Sequence, residues 1–308
     1  MAISCKCVNS ALAFIVFALF LASLSFTSNA QTLYSCPPPY DHNPILYTID
    51  PSTGATLTSK EIILPGETVN GCNGMAKDPT TGVCRMILNI TVPETTDPRV
   101  LVTIDPVTGI ATLIGNTGDA FAAIAFDNSG TLYGVTGDGA SVPETLYTLS
   151  KINGSATFVQ TLGNGEDGEG LGFNPNNGLL YHTSGIASPP DPSNVFESIN
   201  PNSGIVTNIP IIGNTDDYTE QLAMVYSSGN TFLLANRNPF FLHSITTSGV
   251  VSDIGPMDHR AKGLAFDCGF ISKGAEVPTM SEWGLIITVL LLGFVSFIVL
   301  RRKAILQK

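Results

Sequence analysis

One turn recurs five times along the chain, and no other feature limits the fold as much. It reads Asp50-Pro51-Ser52-Thr53-Gly54, then Asp105-Pro106-Val107-Thr108-Gly109, Ser150-Lys151-Ile152-Asn153-Gly154 and Asn200-Pro201-Asn202-Ser203-Gly204. A shortened copy, Thr246-Thr247-Ser248-Gly249, comes last, and the glycines are 55, 45, 50 and 45 residues apart. Asp, Asn or Ser opens such a turn by accepting a local backbone hydrogen bond. Pro presets the next φ, and Gly takes the left-handed position of a hairpin bulge. Self-similarity at this period is the mark of a repeat architecture.

Short alternating strands flank each turn. Ile45–Ile49, Val100–Ile104 and Thr145–Leu149 precede it; Ala111–Ile114 and Ala156–Val159 follow it. A polar loop then leads to a third strand (Ala123–Phe126, Gly170–Phe173, Gln221–Met224), and a tight turn to a fourth (Leu132–Val135, Leu180–Thr183, Phe232–Ala235). No helical period intervenes. Four strands in a unit of this length make the blade of a β-propeller. The Ala/Gly-rich strands suit the axis, where blades converge. Five blades are expected, because the 55-residue interval between Gly54 and Gly109 is too short to hide a sixth.

The repeat also explains its own ends. Gly263–Asp267 is an inner strand with nothing after it, and Thr32–Ser35 is a second strand with nothing before it. Together they complete one blade and close the ring, which removes two exposed sheet edges. The expected all-β propeller spans residues 31–272.

Before the repeat, Lys6, an apolar run from Ala11 to Leu24 and Ser28-Asn29-Ala30 read as a signal peptide over residues 1–30, cut to leave Gln31 first. Cys5 and Cys7 leave with it; preceding the apolar run, neither suits lipid attachment. Four cysteines remain, and an even count in an exported chain points to disulfides. Cys36 with Cys268 would pin the ring closure, and Cys72 with Cys84 would close a short loop. Residues 31–275 carry 23 acidic against 9 basic side chains, a formal charge of −14. Such a field repels nucleic acid and anionic membrane surface.

Strand direction sorts the connections onto two faces. The repeated turns share one face with the tight inner-to-second turns. The other carries long Pro-rich connections, 37–44, 91–98, 138–144 and 186–193, where binding is expected. Loops leading into the inner strands open there too, and each carries an acid: Glu67, Asp119, Asp167, Asp217 and Asp258. Such a ring of carboxylates could hold Ca²⁺, which takes hard oxygen ligands. Catalytic signatures are sparse. Of four histidines, His42, His182, His243 and His259, none lies in a His-x-x-x-His pair, and Gly-x-Ser-x-Gly is absent. His259 and Arg260, beside Asp258, form the best candidate for chemistry. A non-enzymatic binding or structural role is the first expectation. The alternative is a secreted Ca²⁺-dependent hydrolase of lactonase or esterase type.

The C-terminal region reads as a linker and motif over 273–284, an apolar span over 285–300 and a basic tail over 301–308. The span is short against the ~20 residues a bilayer needs. Trp283 suits an outer interface, and Arg301, Arg302 and Lys303 suit the cytoplasm. Val277-Pro278-Thr279-Met280, then Trp283-Gly284, a span and Arg301-Arg302 resemble the IPTL-CTERM sorting signals, with Val277 and Met280 replacing Ile and Leu. The resemblance implies an exosortase partner, tail removal, and passage through the inner membrane to the surface or extracellular matrix of a Gram-negative bacterium. Extracellular polysaccharide or other surface components are the partners such a destination suggests for the propeller.

Overall fold

The computed structural model describes residues 31–91, 99–137, 139–162, 169–184, 187–188, 191–192, 195–213, 221–236, 240–269, 287 and 291–292. The expected signal peptide, 1–30, and the expected sorting motif, 277–284, lie outside them. Among the described residues, no helix is long and apolar enough to cross a membrane. The chain divides into two units, Met1–Phe270 and Ile271–Lys308.

The first unit is a five-bladed β-propeller built of five antiparallel four-stranded sheets. Blade 1 joins the chain ends, in the order Gly263–Phe266, Leu33–Cys36, Ile45–Ile49 and Thr56–Glu61 from axis to rim. Blade 2 runs Thr68–Lys77, Cys84–Thr91, Arg99–Ile104 and Ala111–Asn116. Blade 3 runs Phe121–Phe126, Leu132–Thr136, Thr145–Leu149 and Ala156–Thr161. Blade 4 runs Glu169–Asn174, Leu179–Ser184, Val195–Ile199 and Val206–Asn208. Blade 5 runs Gln221–Ser228, Thr231–Asn236, Phe241–Thr246 and Val251–Pro256. Each inner strand packs on the next, and the last packs on the first, so the ring is closed.

The seam has the expected register: Leu33 pairs with Phe266, Tyr34 with Ala265, Ser35 with Leu264 and Cys36 with Gly263. Burial then follows the ring. The five apolar cores each lie between neighbouring blades; one joins Ala123 and Tyr133 of blade 3 to Leu171 and Leu180 of blade 4. At the axis, small residues let backbones meet. A Cβ added at Gly263 would lie 2.9 Å from the Met75 nitrogen, and one at Gly74 would lie 3.1 Å from the Ala123 Cα.

The repeated turn does two jobs, only one of which local chemistry explains. In the first copy, the Asp50 carboxylate accepts from the Ser52 backbone N–H at 2.8 Å and Gly54 N–H donates to the Asp50 carbonyl at 2.9 Å. Gly54, Gly109, Gly154, Gly204 and Gly249 all have φ between +73° and +85°. These glycines also meet the blade before them. A Cβ on Gly109 would lie 2.2 Å from the Glu61 carbonyl oxygen, and one on Gly249 would lie 2.0 Å from that of Pro210. Beside Gly109, Ile63 N–H donates to the Gly109 carbonyl, and the Ala111 N–H donates back to Ile63. The repeat therefore stitches blade to blade at the rim as well as turning the chain.

The disulfides correct the expected pairing. Cys36 joins Cys72, with 6.1 Å between Cα atoms, and Cys84 joins Cys268, with 5.2 Å. The expected partners sit at opposite ends of antiparallel strands. Cys36 is opposite Gly263, at the far end of that strand from Cys268, and Cys84 is opposite Lys77 rather than Cys72. Both bonds run between blades 1 and 2, and all four cysteines are buried in the core those blades share.

Four outcomes are expected. Gly109→Ala should cost about 3 kcal/mol or more in urea unfolding, because strain from positive φ adds to a backbone clash. Gly118→Ala, also at positive φ but with open space around it, should cost only about 1 kcal/mol. Peptide mapping without reduction should recover the 84–268 and 36–72 links. Chain entropy puts loss of the 84–268 link at about 5 kcal/mol, read as a lowered urea midpoint for Cys268→Ser paired with Cys84→Ser.

Candidate functional site

The two mouths of the ring differ. On the face of the tight turns, the ends of the inner strands line an axial pocket of about 200 Å³. Equivalent positions in the five blades form its collar: Phe266, Lys77, Phe126, Phe173 and Tyr226. One layer deeper, Met75, Ile124, Leu171, Met224 and Leu264 make an apolar floor, each at most 4 % exposed. Gln31 and Asp267 complete the blade 1 side of the mouth. Asp267 accepts from the Thr32 backbone N–H at 2.9 Å and from the Gln31 side-chain amide at 3.4 Å. Lys77 forms no ion pair with any described residue. The sequence had directed attention to the opposite face. A usable signal was present, because three inner strands carry Phe after a small residue at or next to their last position, in Ala125-Phe126, Gly172-Phe173 and Ala265-Phe266.

On the long-loop face, His259 stands in a hydrogen-bonded chain. Its Nδ1 lies 2.7 Å from an Asp258 carboxylate oxygen and its Nε2 lies 2.8 Å from the Ser35 hydroxyl. An acid at Nδ1 places the proton there and leaves Nε2 to accept from Ser35, the order found in Ser-His-Asp hydrolases. Access differs, however. Ser35 is 0 % exposed, at the seam beside the Cys36–Cys72 bond, and Tyr47 stacks on the imidazole with ring centroids 3.9 Å apart. A hydroxyl sealed this way meets no substrate; it ties the N-terminal strand to the loop before the last strand. Beside it, Arg260 bonds Asp41 at 2.7 Å and lies over the rings of Tyr40 and Phe240.

Burial lowers the pKa of His259, opposed by its hydrogen bond and charge interaction with Asp258 and by the charge of Asp41. The hydrogen bond from Thr56 leads in holding Asp258 below the usual carboxylate range, with His259 adding to it. His259 is therefore neutral at pH 7.

The acids proposed for Ca²⁺ divide. Glu67 is exposed on the loop into blade 2. Asp119 accepts from the backbone N–H groups of Ala120 and Ser141, at 2.8 and 2.9 Å. Asp258 accepts from Thr56 and His259. Asp167 and Asp217 lie outside the described residues. Among the described residues, no three His, Cys, Asp or Glu side chains gather as a metal would require.

His182 and His243 are buried framework groups. His182 is fully buried, with Nδ1 3.1 Å from Glu197 and Nε2 3.5 Å from Glu144; Ser184 also donates to Glu144. His243 pairs with Asp253 at 3.0 Å. His42 adopts φ +46° after the short 3₁₀ turn Pro39–Asp41.

Comparison with known proteins places an IPTL-CTERM motif at residues 277–302. No curated protein matches the chain. Among solved structures, TolB from Acinetobacter baumannii is similar at 13 % identity and a TM-score of 0.43, over 87 % of this chain and 74 % of that one. The PQQ-bound aldose sugar dehydrogenase from Streptomyces coelicolor is similar at 15 % identity and a TM-score of 0.43, over 78 % of this chain and 86 % of that one. Neither likeness bears on what this chain does.

His182→Ala should destabilise by about 3–5 kcal/mol, because it leaves two buried carboxylates facing each other; urea unfolding reads it. For His259, the folded pKa lies below the ordinary 6.5, so the unfolded chain binds its proton more tightly. Its contribution to stability is complete above pH ~6.5 and is lost as pH falls through that value to the lower folded one. His259→Gln should flatten that part of the stability profile.

Proposed function

We propose that this protein is exported, sorted through its C-terminal tail and displayed as a binding propeller. The single observation carrying this reading is the IPTL-CTERM motif at 277–302 behind a disulfide-linked propeller. Disulfides persist in oxidising, extracytoplasmic compartments, so the propeller and the tail agree on destination. In this reading residues 1–30 are a signal peptide cut after Ala30. Residues 273–284 form a linker and motif, 285–300 a membrane span, and 301–308 a basic end retained in the cytoplasm. An exosortase-type enzyme recognises Pro278, Thr279, Trp283, Gly284 and the Arg301-Arg302 pair in the inner membrane and removes the tail. The propeller is then delivered to the cell surface or extracellular matrix of a Gram-negative bacterium, where it engages extracellular polysaccharide.

Binding is favoured over hydrolysis by the sealed Ser35 hydroxyl and by the commitment of Asp119 and Asp258 to local hydrogen bonds.

Mass measurement of the surface-recovered chain tests this. The expected species begins at Gln31 and lacks 285–300; Trp283→Ala should leave the tail in place. An intact span on the surface-exposed wild type rules out processing. Any esterase activity in the purified chain should survive Ser35→Ala unchanged; its loss would restore the hydrolase reading.

A further inference from the structure

We propose that the axial pocket receives the terminal sugar acid of a polysaccharide chain end-on, with Lys77 binding the carboxylate and the half-buried rings of Phe173 and Tyr226 touching the sugar ring. This rests on the binding reading above and adds the site and the ligand class.

Shape comes first. The buried floor closes the pocket one layer below the collar, so a chain cannot thread the ring. At about 200 Å³, it is smaller than the ~300–1,000 Å³ typical of drug-sized sites. One ring enters, and it must belong to a chain end.

The collar gives the chemistry. Four of its five positions are aromatic and the fifth is Lys77; Phe126 and Phe266 are buried in inter-blade cores, and Phe173 and Tyr226 are half-buried. The open parts of those two rings can pack against the C–H surface of a pyranose while leaving its hydroxyls to polar neighbours. Gln31 and the Asp267 carboxylate supply such neighbours at the blade 1 edge. Lys77 is half-buried and forms no ion pair with any described residue. Lys151 and Arg260, by contrast, are paired with Asp78 and Asp41. A lysine that lines a cavity without a protein counter-ion can take an anion there.

Charge then selects which part of a chain binds. Residues 31–275 carry a formal charge of −14, which repels a polyanion laid along the surface. The ring contacts and Lys77 act together only inside the pocket, and only a terminal residue reaches them.

Isothermal titration of the mature chain as recovered from cells tests this, with D-glucuronate, D-glucose and benzoate as probes. D-glucuronate should bind saturably with Kd on the order of 1 mM, as befits a single small ring, and D-glucose and benzoate about tenfold more weakly. Lys77→Met should weaken glucuronate about tenfold with its thermal transition unchanged, while Lys77→Arg should retain binding. Phe173→Ala should weaken glucuronate and glucose alike. The proposal is overturned if glucuronate gives no saturable heat at roughly 50 mM, far above that Kd. Equal binding of glucose, preferred binding of benzoate, or unaltered affinity in a folded Lys77→Met chain would overturn it too. A surface-delivered chain that binds purified extracellular polysaccharide but ignores glucuronate fails the pocket alone; one that binds neither fails the binding reading itself.

Discussion

Ring closure is the constraint on which the rest of this molecule depends. Every apolar core lies between two blades, so each blade is half of two cores and stable only with both neighbours present. An open ring would expose two such faces and leave unpaired strand edges. The seam strands, Leu33–Cys36 and Gly263–Phe266, meet across more than 200 residues of chain, and bringing them together is entropically costly. The disulfides answer this indirectly. Neither crosses the seam; each bolts one seam strand to blade 2, the N-terminal one through Cys72 and the C-terminal one through Cys84. Each chain end is docked independently, and the seam's hydrogen bonds form between strands already held in place.

Polar groups at the seam do related work. Asp267 caps the first residues after the proposed signal-peptide cut, and Ser35 reaches His259 across 224 positions. The tight-turn mouth consequently has a blade 1 edge made of Gln31 and Asp267, from the two strands that meet at the seam, where the other blades have turns. That break in five-fold repetition, together with Lys77 in place of a fourth Phe, makes the axial pocket chemically one-sided.

Much of the architecture was legible in the sequence because it is written locally. The Asp-Pro-x-Thr-Gly turn, alternating strands and Ala/Gly-rich inner strands each have a short-range cause, and the unpaired terminal strands implied closure by elimination. What was not legible needed two blades at once. Cys36–Cys72 and Cys84–Cys268 join different blades, and hairpin proximity pointed to the wrong partners. The contact of Gly109 with the Glu61 carbonyl is likewise invisible to turn chemistry. The same holds for the candidate sites. His259 and Asp258 were visible as neighbours in sequence, but Ser35, Tyr47 and the burial that isolates them come from the ring. The collar was half visible, since Phe126, Phe173 and Phe266 recur in register; their convergence on one cavity with Lys77 and Tyr226 appears only when five strands share an axis.

The Ser35–His259–Asp258 chain shows how access, rather than hydrogen-bond order, separates a catalytic group from a structural one. A nucleophile must present its oxygen to a substrate and have donors waiting for the developing negative charge. Ser35 has its hydroxyl turned into the seam, a disulfide at the next residue and an aromatic ring over its histidine partner. The three groups find one another because a buried Ser hydroxyl and a buried imidazole both need partners. An acid next in sequence to the histidine satisfies the second nitrogen at little conformational cost. In a protein whose ends must be tied together, that economy is reason enough for the arrangement.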